Sequence, residues 1–201
     1  DAVDICTGHR AHAPLAIAAA QAGKHVITEK AMAHTLQGCR DMIESADKAG
    51  ITLMVAQQLR YSADAVAVKQ LVEDGKLGEI QAARTHLIMQ GPQKSWMNDG
   101  AAGGGVLMLN SIHHIDLLRY YLGDIKRVNG VCRSLQPQME NGGEDLVAAT
   151  IEFENGAIGD VFASWTSYLS PESPFYLILG TEGTIHSTQQ LRANDSPLRH
   201  F

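Results

Sequence analysis

No surplus of positive charge runs through this 201-residue chain, which sets 16 Lys and Arg against 22 Asp and Glu for a net charge of −6. The basic residues are scattered instead of striped, so no field gathers a polyanion, and nucleic acid is not an expected partner. Cysteine is scarce. Cys6, Cys39 and Cys132 are odd in number, widely spaced and set in apolar surroundings. That reads as free thiols of a reducing compartment, not a disulfide or zinc framework, and the expected location is the cytoplasm. No apolar run reaches the length of a bilayer span and no basic-then-apolar leader opens the sequence, so no membrane partner is expected. Internal repeats and low-complexity linkers are missing too.

What is present is an ordinary globular composition, 45% hydrophobic and 19% charged, enough for one generous domain or two small ones. "DAVDIC" opens directly on an apolar strand-like run and "LRANDSPLRHF" stops without a closing element, so further sequence is expected on both sides.

Over residues 1–60, short β-type runs alternate with helical ones, the pattern of parallel strands joined by helical crossovers. Strands fit Ala2 to Cys6, His25 to Glu29 and Thr52 to Ala56. Between the first two, Pro14 suits a first helical turn and Gly23 the position just past the end. Between the next two, Thr35 suits an N-cap, Leu36, Cys39, Ile43 and Ala46 recur at helical spacing, and Gly50 closes. This is half of a doubly wound α/β sheet. After a helix over Ala63 to Asp74 the texture turns to strand: Ile80 to Met89, Arg127 to Leu135, Leu146 to Phe153, Ala157 to Trp165, Phe175 to Leu179 and Thr184 to Ser187. "ENGA" reads as a hairpin turn. Residues 61–201 therefore form a second, α+β domain, incomplete at its C-terminus, whose mostly antiparallel open sheet carries one long helix over 110–122.

In open α/β sheets ligands lie beyond the carboxyl ends of the parallel strands. A rim of Thr7, Glu29, Lys30, Gln57 and Arg60 would gather there; the plain alternative is that strand ends meet water. In "GGGVLMLNSIHHIDLLRYYLG" (103–123), Asn110 or Ser111 fits a helix cap, which puts His113 in the first turn and on one face with Asn110, while His114 points elsewhere. The positive end of a helix dipole favours a neutral imidazole, the state a general base needs. Asp116, one turn on, either orients His113 or enters a surface pair. A half-buried histidine satisfied by a carbonyl remains the competing reading. His113, His114 and Asp116 could be read as a metal site, but adjacent helical residues diverge by about 100°, so no metal is expected. Trp96 and Trp165 read as core or interface residues, and Met32, Met42 and Met54 as core filler.

Taken together, "DAVDICTGHRAHAPLAIAAAQAGKHVITEKAMAHT", the 103–123 stretch, "GEDLVAATIEFENGAIGDVFASW" and "LGTEGTIH" closely resemble the Gfo/Idh/MocA oxidoreductases, over nearly the whole chain and in order. The resemblance implies a Rossmann-type first domain, here its second half, and an enzyme that moves a hydride between NAD or NADP and a carbinol carbon of a sugar, cyclitol or dihydrodiol. It implies that Lys30, in the family's Glu-Lys-Pro position with Glu29, contacts substrate and nicotinamide, that His113 is the catalytic base, and that Asn110 holds substrate or the histidine. Thr7 and His12 match the loop along which the cofactor passes, with Glu29, Lys30, Gln57 and Arg60 completing the cofactor rim. It further implies a small polyol or sugar-like ligand and a homo-oligomer built through the second-domain sheet.

The sequence departs from the family at three points. Ala31 replaces the usual Pro, which argues against a cis peptide beside Lys30, since a non-proline cis bond costs roughly 2.5 to 4 kcal/mol. Leu109 stands where many members carry an acid. The G-x-G-x-x-G turn and the acidic residue after it do not occur in this sequence. Two other functions stay open: a sugar-binding or regulatory homologue without catalysis, and a redox-neutral enzyme that uses its cofactor transiently.

Overall fold

The computed structural model describes residues 1–167 and 176–187, with backbone alone at 199–200. The expected strand start at Phe175 and the C-terminal stretch from 188 to 198 lie outside the described residues.

Strands β1 (Ala2–Ile5), β2 (His25–Thr28) and β3 (Leu53–Val55) form a parallel sheet in that order. Helices α1 (His9–Gln21) and α2 (Leu36–Ala49) make the crossovers. The Thr35 hydroxyl accepts from the Gly38 N–H at 3.0 Å, and Gly50 closes α2 at φ +64°, an N-cap and a left-handed C-cap. Gly38 also lets the two helices meet: a Cβ there would lie 3.2 Å from the Ala13 methyl and 3.1 Å from that of Ala33. Ile5, Ala13, Ala16, Val26, Ala33 and Met42 bury the shared core. Two expectations fail here. Helix α1 starts five residues before Pro14, which therefore sits inside the helix and not in its first turn. Met54 is not core filler but 39% exposed on the short strand β3.

After a short 3-10 turn over Gln58–Tyr61, α3 (Ala63–Glu73) is capped by Ser62, whose hydroxyl accepts from the Ala65 N–H. Then come β4 (Ile80–Ile88), α4 (Ile112–Leu122), β5 (Ile125–Arg133), β6 (Leu146–Phe153), β7 (Ile158–Ser164), β8 (Tyr176–Gly180), β9 (Thr184–His186) and β10 (Arg199–His200). They pair in the order β10-β9-β8-β4-β7-β6-β5, antiparallel throughout except where β4 lies parallel to β7. The register sorts the side chains onto two faces. Ala83, Ile151, Phe153, Val161 and Ile178 face α4 and α3, burying Leu117, Leu118, Tyr121, Leu122, Ala65 and Val68. Val131, Ala148, Phe162 and His86 align on the opposite face, where no element of the described chain covers them.

Leu118 is 1% exposed at the centre of that core. Leu118→Ala should lower unfolding stability by about 2–5 kcal/mol, read from a denaturant titration; a loss well under that range would show that the helix is not seated on the sheet as described.

Candidate active site

Each strand of the first sheet delivers a polar residue at its carboxyl end. Thr7 follows β1 and is exposed, Glu29 and Lys30 follow β2 and are half-buried, and Gln57 follows β3. The Lys30 backbone N–H donates to Glu29 Oε2 at 3.2 Å. The Lys30 ammonium crosses to the second half of the chain and donates from Nζ to the carbonyl of Leu109 at 2.5 Å. Burial holds its pKa below the ordinary lysine value, against the opposing pull of Glu29.

The helix that carries His113 does not start at Asn110 or Ser111. Val106 is already helical, and Leu107–Ser111 forms a π-turn that leads into α4. Its true start is closed by Glu144, whose Oε1 accepts from the Leu107 N–H and whose backbone carbonyl accepts from the Val106 N–H, both at 2.9 Å. Gly105, at φ +117°, makes this possible, because a Cβ there would come within 2.3 Å of the Glu144 carboxylate. A cap arriving from 37 residues away leaves no local trace, so Asn110 and Ser111 were the only candidates a sequence window could offer. Single π-turns occur frequently at functional sites. This one presents the Leu109 carbonyl to Lys30.

His113 Nδ1 lies 2.9 Å from Gln57 Oε1. An amide oxygen only accepts, so Nδ1 carries the proton and Nε2 keeps its lone pair. Its pKa is lowered to about 4, first by burial, then by the Lys30 charge, with Glu29 and Asp116 opposing. The imidazole is thus neutral, as expected, but not because of a helix terminus; it sits beyond the first turn. Asp116 does not orient it either. Both Asp116 oxygens take the Arg60 guanidinium at 2.6 Å, and that guanidinium also lies over the Tyr120 ring. Arg60, expected on the cofactor rim, is committed to this pair. Asn110, expected to hold substrate or the histidine, accepts from Trp165 Nε1 at 3.0 Å and is not bonded to His113. Trp165 is 2% exposed and Trp96 42%. His114 is buried, and burial first and His113 second push its pKa down to about 3.

His12, expected along the cofactor's path, is held by main-chain groups. It is fully buried, with Nδ1 2.7 Å from the Ala31 carbonyl and Nε2 3.0 Å from the Thr7 carbonyl, so its ring lies between two main-chain oxygens. The Lys30–Ala31 peptide is cis, contrary to the expectation from residue type. That expectation counted only the local chain, whereas the carbonyls of both residues are held from α1, by His9 and His12. His9 went unnoticed in the sequence because its partners lie far along the chain. No group of three His, Cys, Asp or Glu among the described residues is placed to hold a metal ion.

A dinucleotide-type half-sheet is joined to an open-sheet domain, and a lysine of the first bonds the main chain of the helix that carries a histidine of the second. Residues 1–57 match the model of the oxidoreductase family with an NAD-binding Rossmann fold, and residues 65–186 the Gfo/Idh/MocA C-terminal domain. The chain belongs to the Gfo/Idh/MocA family. It is 31% identical to levoglucosan dehydrogenase of Pseudarthrobacter phenanthrenivorans, over 91% of this chain and 54% of the relative. It is 27% identical to 2,7-anhydro-N-acetylneuraminate hydratase of Escherichia coli, over 94% of this chain and 52% of the relative. A solved levoglucosan dehydrogenase in complex with NADH and levoglucosan superposes with a TM-score of 0.84 at 31% identity, covering all of this chain and 60% of that one. The chain thus spans about half the length of the curated relatives it matches.

The depressed His113 pKa carries a sign. Above the ordinary value of 6.5 the neutral buried ring contributes its full stability; as pH falls from there toward about 4 the unfolded chain binds the proton first and stability declines. A ring-proton NMR titration should place the His113 midpoint near 4, and Lys30→Met should raise it by removing a neighbouring charge. A midpoint unmoved or lower in the variant would mean that the two groups do not share a site.

Proposed function

We propose that the protein is a nicotinamide-dependent oxidoreductase acting on a carbinol of a sugar, anhydrosugar or cyclitol, with Lys30 and His113 as its catalytic residues. The supporting observation is their meeting: the Lys30 ammonium rests on the carbonyl four residues before His113, and its charge is felt at the imidazole.

The residues present fit the nicotinamide end of NAD. Thr7, Glu29, Lys30 and Gln57 offer a hydroxyl, a carboxylate, a cation and an amide along one edge of three parallel strands, the place where such folds bind dinucleotides. Thr7 and Lys30 would hold that end. The pyrophosphate is assigned to no residue here, since the sequence has no G-x-G-x-x-G turn. When bound, the nicotinamide supplies the two-electron acceptor or donor. His113 Nε2 takes the hydroxyl proton as the carbinol is oxidised and returns it in the reverse direction, with Gln57 fixing the tautomer. Positioned proton transfer of this kind contributes about 10²- to 10⁴-fold. Lys30, partly stripped of water, faces the oxygen on which negative charge develops, where a fixed cation is worth more than in bulk solvent. The Asn110 amide nitrogen has no partner among the described residues and is available to a substrate oxygen.

A redox-neutral variant of the same chemistry is the second reading, favoured by the likeness to a hydratase of an anhydrosugar. The uncovered sheet face supports a homo-oligomer. Val131 and Ile158, 51% and 61% exposed, lie on that face, and a groove of about 740 Å³ runs across it between Arg84, Asn129 and Phe162. Three free thiols support a reducing, cytoplasmic setting.

Lys30→Met and His113→Asn should each lower kcat/KM on the best anhydrosugar or polyol substrate by about 100-fold or more, with melting temperature little changed. Accumulation of free reduced cofactor with product supports the net dehydrogenase; product without it supports the redox-neutral reading; retained turnover in either variant removes that residue from the mechanism. For the sheet face, Val131→Asp should shift the light-scattering mass from a multiple of the chain mass to that of one chain, and a parent that is already monomeric refutes the pairing.

A further inference from the structure

His9 lies outside the reacting groups, yet it touches both parts of the site. Its ring is 2% exposed and bridges two carbonyl oxygens: Nδ1 lies 2.7 Å from Gly103 in the triglycine loop, and Nε2 3.1 Å from Lys30. The two carbonyls come from opposite halves of the chain, 94 and 21 residues away. Gly103, at φ +82°, permits this approach, since a Cβ there would stand 2.7 Å from that of His34 and 3.1 Å from that of His9. The edge of the bridge is closed by rings: Trp96 packs at 5.2 Å and 79°, and His12 at 5.6 Å and 68°.

We infer that His9 is a positioning residue for Lys30: its imidazole is the spacer that fixes the lysine main chain against the triglycine loop, and so fixes where the ammonium meets the Leu109 carbonyl. The inference rests on Lys30 belonging to the reaction. Carbonyl oxygens only accept, so each end of the bridge needs an N–H from the ring. A neutral imidazole serves one end at a time and a second proton serves both. Neither acceptor is a side chain, so neither can be retuned by substitution in its own place; the adjustable member of the link is residue 9. The geometry matters because Lys30 and Gly103 are the fixed points from which the two catalytic groups extend. Lys30 carries the ammonium directly, and the loop of Gly103 leads within three residues to the start of the helix that bears His113. A misplacement of about 1 Å between such groups can cost about 100-fold in rate.

The test compares three variants. His9→Phe keeps a ring against Trp96 and His12 but has no nitrogen, His9→Gln restores one amide donor with the reach of Nε2, and His9→Ala leaves a hole that added imidazole can fill. The first readout needs no turnover: in the ¹⁵N-lysine-labelled full chain, the Lys30 Nζ resonance, assigned by its loss in Lys30→Met, reports whether the ammonium still sits on its carbonyl. It should be displaced in His9→Phe and His9→Ala, close to native in His9→Gln, and return in His9→Ala when imidazole is added. The second readout is kinetic: kcat should fall at least 10-fold in His9→Phe with KM moved less than 3-fold, and recover in His9→Gln. Should His9→Phe fail to fold, the imidazole titration of His9→Ala decides alone. A Lys30 resonance that stays native in His9→Phe or His9→Ala, or one that imidazole does not restore, overturns the inference. A resonance that behaves as stated in a protein without turnover upholds the positioning of Lys30 and refutes the proposed reaction instead.

Discussion

Lys30 Nζ reaches the Leu109 carbonyl at 2.5 Å across the join between the two halves of the chain, and the rest of the site is arranged around that contact. The lysine stands where a buried strand ends, which brings it to the sheet edge. The π-turn places the receiving carbonyl one helical turn before His113. Gln57 bonds His113 and Arg60 pairs with Asp116 across the same join, so two side chains and one main-chain carbonyl of the second half are met by groups of the first. A main-chain acceptor in place of a carboxylate has a consequence: it holds the ammonium without neutralising it, and leaves its charge to act on the imidazole.

That charge and the burial around it set the protonation states. The imidazole is held neutral because adding a proton would place a second cation beside Lys30 in a desolvated cleft. The ammonium, itself disfavoured by burial, keeps Glu29 as its counterion neighbour. Burial thus acts on both groups in the same direction, and the opposing pull of Glu29 falls on each.

The histidines of α1 show another use of the same residue type. His9 and His12 each lie between two main-chain carbonyls and around the Lys30–Ala31 peptide. Neither reaches solvent. Together with Trp96 they form the ground on which the lysine and the triglycine loop are set, and the packing of Gly38 against Ala13 and Ala33 brings α1 close enough for them to do so.

Much of this was legible in the amino-acid order. The strand positions and the caps at Thr35 and Gly50 follow from periodicities and from residue types whose preferences act over a few positions, while the grouping of Lys30 with His113 comes from the resemblance to the family. The sequence also determined that His113 would be neutral, though for a local reason that the structure replaces with burial and a neighbouring charge. Only the tertiary structure decided the partners: Glu144 as the cap in place of Asn110, Gln57 and not Asp116 beside His113, Arg60 turned inward, His12 sealed away, and a cis bond after Lys30. The Glu144, Gln57 and Arg60 pairings join residues 37 to 56 positions apart, and a pairing at that distance is fixed by how the packed halves meet, which no short window of sequence encodes.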